Sequence, residues 1–185
     1  MSSGIILAVD PGASGGLAWG SFELTDVCPM PATEGDVLSK LRDISQLRAP
    51  GDSGTAFLET LVKHMGEGVP ASTMAVYGSN YGFLKGCLMA MGWRVIMTRP
   101  QDWQAALHLG LTGRQKANVK GMSKAEAKAE KKRIRIINAH LKRDWKNKLK
   151  ARAQELFPTV TVTLSTADAL LLLQYGWLVM KGGLR

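Results

Sequence analysis

The chain has 185 residues, of which 45% are apolar, and its formal net charge is +9 at pH 7. A chain of this length and apolar content can bury one substantial core, and nothing in the composition requires a second domain. We therefore expect one α/β domain over residues 1–185. The two cysteines show neither a disulfide pattern nor metal-ligand spacing, and the apolar stretch from Leu170 to Met180 is too short to span a bilayer. We therefore expect a soluble, cytoplasmic protein with no membrane partner.

Hydrophobic spacing predicts strands and helices in chain order. The predicted elements are strands at 5–10, 16–20, 24–27, 55–59 and 93–98, and helices at 34–48, 71–91, 100–107, 123–157 and from 168 onward. A loop containing Lys63, His64, Gly66 and Gly68 is expected after the fourth strand. Gly78 and Gly82 weaken the middle of the second helix, at a cost of about 1 kcal/mol each relative to alanine. Ser123 and Glu126 form a capping-box pattern that starts the long fourth helix, and Pro158 ends it.

Positive charge is concentrated in one part of the chain. Residues 114–152 contain fifteen Lys and Arg against three acids, which leaves a net charge of about −3 for the remainder. Such a segment favours a polyanionic partner, and DNA or RNA is the natural candidate. A lysine-rich helix that is simply solvated is the alternative.

Three carboxylates stand where apolar elements begin or end. Asp10 ends the first strand before a Pro-Gly turn, and Glu59 ends the fourth. Asp168 begins the last helix, with Ser165 or Thr166 as its N-cap. A carboxylate at the end of a buried strand is costly unless it is paired or binds a metal, although Asp10 also suits ordinary turn chemistry.

Carboxylates gathered from neighbouring strands and a helix start suit a particular chemistry. Two divalent ions about 4 Å apart need such a set of ligands for in-line attack on a phosphodiester. Carboxylate oxygens are hard ligands, and His64, His108 and His140 show no ligand spacing. The expected cofactor is therefore Mg²⁺, with Mn²⁺ as the alternative.

An ordered set of motifs carries a family resemblance. It comprises ILAVDPGASGGLA at 6–18, the strand-end Glu59, the glycine-rich aromatic segment 77–83, ELFP at 155–158 and ADALL at 167–171. Together these motifs resemble RuvC-type Holliday-junction resolvases, above all their phage and plastid branches. The resemblance implies an RNase H-like mixed sheet flanked by helices, a homodimer, and magnesium-dependent paired nicking of four-way DNA junctions. It covers most of the chain except about 110–145, which looks like a basic helical insertion.

The resemblance also implies roles for individual residues. Asp10, Glu59 and Asp168 match the family's acidic positions, and we expect Asp10 to bridge two ions while the other two acids hold one each. Lys146 is at or near the position of a family lysine that stabilises charge at the scissile phosphate. The family usually has a fourth acid or a histidine shortly before the last Asp, whereas residues 163–166 read Thr-Leu-Ser-Thr. Either three carboxylates hold the metals with more water, or the site is weak or altered.

Two further groups of residues are predicted to contact DNA. Asn80, Tyr81 and Phe83 are candidates for contacts with unstacked bases, which contribute about 1 to 3 kcal/mol per base. The alternative is that they form an aromatic core patch with glycines for close packing. Lys148 and Lys150 are candidates for phosphate contacts, with solvated side chains as the alternative.

Other classes of protein fit parts of the sequence. The motif DPGASGG also resembles the first phosphate loop of actin-like and sugar-kinase-like ATPases, but the chain is too short for their two domains and lacks a second Asp-x-Gly loop. A protein that binds branched DNA without cutting it, and an RNase H-like nuclease acting on RNA–DNA hybrids or flaps, stay open. Magnesium-dependent nicking distinguishes a nuclease from the binder. Dimerisation distinguishes a junction resolvase from the other nucleases.

Overall fold

A five-stranded mixed sheet is the centre of the fold. The computed structural model describes residues 4–21, 24–60 and 70–182. The strands are β1 (Ile6–Asp10), β2 (Gly16–Gly20), β3 (Thr25–Pro29), β4 (Thr55–Glu59) and β5 (Arg94–Thr98). Their order is β3-β2-β1-β4-β5, in which the first three strands are antiparallel and β1, β4 and β5 are parallel.

Five helices accompany the sheet in the described part of the chain. They are α1 (Glu34–Gln46), α2 (Ala71–Ala90), α3 (Pro100–Ala106), α4 (Lys124–Leu156) and α5 (Ala167–Met180). The fold class is therefore α/β, as the sequence predicts.

Alternation along the strands places a hydrophobic core on each face of the sheet. Ile6 and Ala8 belong to the core that α4 and α5 complete, whereas Leu7 and Val9 belong to the core under α1 and α2. A strand buried on both faces reads as a continuous apolar run, which is the pattern at the start of β1. Asp10 follows Ala8 by two residues, so its side chain lies on the α4 and α5 face.

The last helix is the central element of that face. Residues from Ala167 to Leu173 are all buried, and α5 packs across β1 and β2. The helix approaches the sheet closely at Gly176, where a Cβ would lie 2.8 Å from the Phe57 ring. This close packing fixes the first turn of α5, and with it Asp168, against the ends of the strands.

Several boundaries differ from the prediction. The third strand runs on to Pro29, because β3 lies at the edge of the sheet, where a residue without an amide hydrogen is tolerated. The second helix passes through Gly78 and Gly82 without a break. Residues 124–145, within the predicted insertion, are continuous in one helix with Lys146. The predicted loop with Lys63, His64, Gly66 and Gly68 lies outside the described residues.

The long helix begins as the sequence predicts. The Ser123 hydroxyl accepts a hydrogen bond from the Glu126 amide, and the Glu126 carboxylate accepts one from the Ser123 amide. Across the described ranges, no helix is long and apolar enough to cross a membrane.

Candidate functional site

Asp10 and Glu59 lie side by side at one edge of the sheet. β1 and β4 are parallel neighbours with Val9 opposite Leu58, so the next residue on each strand is the acid. Burial, followed by repulsion from Asp168, raises the pKa of Asp10 to about 6. Burial, followed by repulsion from Asp10, raises the pKa of Glu59 to about 8. The two carboxylates therefore share a poorly solvated position in which adding negative charge is costly.

Asp168 brings a third carboxylate to the same place. It lies in the first turn of α5 and only 6% of its surface is exposed. Its Oδ2 accepts a hydrogen bond from the Lys146 ammonium on α4, whereas its buried Oδ1 has no hydrogen-bond partner among the described residues. The structure thus brings together Asp10, Glu59, Asp168 and Lys146, the predicted catalytic set, from four separate elements.

Trp103 is a member of the site that the sequence analysis missed. Its indole Nε1 donates a hydrogen bond of 2.7 Å to Glu59 Oε2 from the fully buried face of α3. This bond opposes the rise in the Glu59 pKa, because it stabilises the charged form. A Trp in the short helix that follows the strand next to β4 is the only sequence signal for it.

Tyr77 and Thr98 also adjoin the carboxylates. The Tyr77 hydroxyl lies 3.5 Å from the position a Cβ would take on Gly12, and burial, Asp10 and Glu59 raise the pKa of this tyrosine. Thr98 pairs with Glu59 across the β4 and β5 ladder, so the two side chains lie on the same face of the sheet. Its buried hydroxyl has no hydrogen-bond partner within the described ranges.

The turn after Asp10 depends on glycine for close approach. A Cβ on Gly15 would stand 2.4 Å from the Asp10 carbonyl oxygen and 2.7 Å from its carboxylate carbon. A Cβ on Gly16 would stand 2.7 Å from the Cys28 carbonyl oxygen and 2.9 Å from that of Ser165. The glycines therefore let the turn fold back against the acid and against the segment that precedes α5.

Hydroxyl groups occupy the stretch where the resemblance leads one to expect a fourth acid. Thr163 Oγ1 lies 2.8 Å from the Ser165 hydroxyl and accepts a hydrogen bond from the Thr166 amide. The N-cap of α5 is Thr166, but its own side chain makes no capping bond. Its hydroxyl instead accepts a hydrogen bond of 2.9 Å from the Thr163 amide. These hydroxyls are thus used in closing the turn.

The predicted base-contacting residues lie on α2, next to the turn after Asp10. Asn80 and Phe83 line one pocket with Pro11 and Ala13 of that turn. Tyr81 and Phe83 also pack partly against the hydrophobic core beneath α2. Part of the contacts of the Tyr81 and Phe83 rings are therefore core-packing contacts, as in the alternative interpretation.

The two other predicted lysines differ in their relation to the site. Lys148 is exposed and follows Lys146 by two residues, which directs it to the opposite side of α4. Lys150 is exposed and lies one turn beyond Lys146 on nearly the same side. Lys150 is therefore better placed than Lys148 to contact a DNA backbone that reaches the carboxylates.

The donor chemistry of the site suits Mg²⁺ or Mn²⁺, but its present contacts do not form a finished coordination shell. Among the described residues, no three His, Cys, Asp or Glu side chains are arranged to hold a metal ion. Glu59 is bonded to Trp103, and the Lys146 ammonium takes one oxygen of Asp168. The site nevertheless has an unpartnered buried carboxylate oxygen and two acids with raised pKa values. A divalent cation would neutralise these carboxylates, and without one such features are expected. The residues fit the ion, and the ligand set stays a prediction.

Comparison with known proteins adds no assignment. No protein-family model matches the chain, and no curated protein matches it.

Proposed function

We propose that the protein is a magnesium-dependent, structure-selective DNA endonuclease that resolves four-way junctions. The observation that carries this proposal is the convergence of Asp10, Glu59 and Asp168 with Lys146 at one sheet edge. The strand order and the mixture of antiparallel and parallel pairs support an RNase H-like fold, because they bring two strand-end acids side by side. The expected roles are in DNA recombination and repair, with manganese as an alternative cofactor.

The three acids would hold the divalent ions. The three carboxylates are close enough to influence one another, since Asp168 raises the pKa of Asp10 and both acids raise that of Glu59. Asp10 would be the ligand shared by the two ions, and Glu59 and Asp168 would hold one ion each. When bound, the ions would supply Lewis-acid stabilisation of the phosphate and a more acidic attacking water.

The chain's own groups orient the reaction. Water adds to phosphorus, the bond from phosphorus to the 3′ oxygen breaks, and the proton that water loses is matched by one that the 3′ oxygen gains. Trp103 holds the Glu59 carboxylate in place through its indole hydrogen bond. Lys146 has 32% of its side chain exposed, so its ammonium can turn from Asp168 to a phosphate oxygen and stabilise charge there.

Paired symmetric nicks require two sites facing one junction, so we expect a homodimer. Asn80, Tyr81 and Phe83 are proposed to meet unstacked bases near the junction centre, because Asn80 and Phe83 adjoin the turn that follows Asp10. Lys148 and Lys150 are proposed phosphate contacts.

A second candidate is a branched-DNA-binding protein that does not cut. It is favoured by the hydroxyl groups at 163–166, where a fourth acid is expected, and by the Lys146 ammonium on Asp168. A nuclease acting on RNA–DNA hybrids or flaps would use the same carboxylates and differs only in its substrate.

Cleavage of labelled DNA with magnesium tests the proposal. The substrates are a four-way junction, a linear duplex, a flap and an RNA–DNA hybrid, and the proteins are the native chain, Asp10→Asn and the control Asp26→Asn on the exposed edge strand. We expect symmetric nicks in the junction that Asp10→Asn abolishes and Asp26→Asn leaves intact. Tight junction binding without cutting in either metal would favour the non-cutting alternative, and preferential hybrid or flap cleavage would favour the other nuclease.

A further inference from the structure

The charges on α4 are divided between two sides of the helix. Since successive residues turn by about 100°, its four acids fall within an arc of about 40°. These acids are Glu126, Glu130, Asp144 and Glu155. Eight cations fall within an arc of about 100° on the other side, which we call the basic face. The basic face consists of Lys124, Lys128, Lys131, Lys132, Arg135, Lys142, Lys146 and Lys150.

Three of the four α4 cations outside the basic face are ion-paired, and the fourth is Lys148. Arg133, Arg143 and Arg152 pair with the neighbouring Glu130, Asp144 and Glu155. By contrast, only Lys146 on the basic face makes an ion pair with any described residue. All members except Lys146 are exposed. The face therefore presents seven exposed positive charges, none of them ion-paired with a described residue, in addition to Lys146.

Another segment of the chain covers a neighbouring side of the helix and leaves the basic face open from Lys124 to Lys142. Farther along, the same side of α4 packs into the core through Leu149 and Ala153. The Trp145 indole donates to the Leu109 carbonyl at 2.6 Å, and Asn138 exchanges hydrogen bonds of 2.9 and 2.8 Å with the Gln115 backbone. Asn138 and Trp145 lie beside the row of cations rather than within it. A partner for the exposed part of the basic face would therefore come from outside the described residues.

We propose that the basic face of α4 binds the sugar–phosphate backbone of a duplex arm and leads it away from the carboxylate site. This deepens the proposed nuclease function. From Lys146, which touches Asp168, the row reaches Lys124 about 33 Å away at about 1.5 Å per residue. At 3.4 Å per base pair, that length corresponds to about 10 base pairs. A row of seven lysines and one arginine suits a phosphate backbone better than a protein surface, because protein interfaces are depleted of lysine.

Two triple variants with the same loss of charge test the proposal. One carries Lys124→Gln, Lys128→Gln and Arg135→Gln on the basic face, remote from Lys146. The control carries Arg133→Gln, Arg143→Gln and Arg152→Gln, which are the ion-paired cations. Fluorescence anisotropy gives the affinity for junctions with arms of about 20 or about 6 base pairs, at several salt concentrations; only the longer arms exceed the span of the row.

The two variants lose the same charge, so any difference in their affinity for DNA depends on where the lost cations lie on α4. The basic-face variant should bind long-armed junctions at least about tenfold more weakly at 0.15 M salt, with a salt slope shallower by about 2.7. The control should stay within about threefold of the native affinity, and short arms should bind both variants alike. Equal losses in both variants, or no loss in either, would overturn the proposal. Because binding is measured without cutting, a native chain that binds in this way but never nicks DNA would refute the nuclease function alone.

Discussion

The Lys146 ammonium on α4 donates a hydrogen bond to the Asp168 carboxylate on α5. This contact joins the basic face to the acidic site, since one residue belongs to both. It also supplies positive charge to a group of carboxylates that have few other counter-charges. The ion pair therefore has a structural role in the metal-free protein and is the natural group to transfer to a bound phosphate.

Replacing Lys146 should separate these two roles. Lys146→Gln leaves the buried Asp168 without its cation and should lower the free energy of unfolding by about 1 to 3 kcal/mol at pH 7. This loss is smaller than for a fully buried ion pair, because Lys146 is partly exposed. Junction cleavage should fall about 100-fold, whereas magnesium affinity should not fall, because a positive charge has been removed. Urea denaturation and cleavage kinetics measure these effects.

Lys150→Gln is the matched control, since Lys150 is exposed and makes no ion pair with any described residue. Its stability should change by less than about 0.5 kcal/mol. Equal effects of the two substitutions on stability would show that the contact with Asp168 contributes nothing.

The metal-free protein should lose stability as the pH rises. The pKa of Glu59, about 8, lies above its ordinary value of 4.5, so the folded state holds this proton more tightly than the unfolded state does. The free energy of unfolding should therefore fall, by a few kcal/mol, between pH 4.5 and about pH 8 and level off above that. Asp10, with a pKa of about 6, contributes in the lower part of this window.

Thermal unfolding in a chelator from pH 5 to pH 9 measures this dependence. Glu59→Gln should remove most of it and stabilise the metal-free protein at the upper end. A native profile that is flat, or that rises across the window, would contradict the burial of Glu59 beside other acids.

Trp103 should act on metal binding through Glu59. Trp103→Phe removes the indole donor and should raise the pKa of Glu59 further, because the hydrogen bond favours the charged carboxylate. We expect magnesium affinity to fall about 10- to 100-fold, as for other groups that orient metal ligands. Calorimetric titration with magnesium at several pH values measures both effects.

The matched control is Trp93→Phe. Trp93 is also buried, but its indole donates to the Ser45 hydroxyl at 2.8 Å, in the other hydrophobic core. Trp93→Phe should lower the free energy of unfolding without changing the affinity for magnesium. Similar affinities for all three proteins would mean that Trp103 serves packing alone.

Glycines on α2 offer a test of its proposed DNA contacts. A Cβ on Gly78 or Gly82 would meet nothing within 4 Å, so alanine at each should stabilise the helix by about 1 kcal/mol. The glycines lie about 100 to 160° around α2 from Asn80 and Phe83, so the two substitutions should leave junction binding unchanged if bases meet those two side chains. Gly86→Ala is the control, because it lies in open space farther along the same helix. Weaker junction binding by the Gly78 and Gly82 variants than by Gly86→Ala would contradict base contacts at Asn80 and Phe83 alone and would place the bases on the glycine side of α2.

The sequence predicts most of the site because the relevant signals are local. Asp10 and Glu59 interrupt apolar strands at their ends, and parallel pairing in register then places them side by side. Trp103 and Thr98 could not be found in this way, since their relation to Glu59 depends on how α3 and β5 pack against β4. The extent of β3 was missed for a similar reason, because tolerance of Pro29 depends on an edge position that only the assembled sheet reveals.

Manganese binding measured by electron paramagnetic resonance tests the central claim, that the three carboxylates form a divalent-metal site, without relying on activity. The native chain should bind two ions, Asp10→Asn should bind none tightly, and Glu59→Gln and Asp168→Asn should each retain one. Asp26→Asn, on the exposed edge strand, should bind as the native chain does. Absence of binding to the native chain, or binding unchanged in Asp10→Asn, would contradict the account.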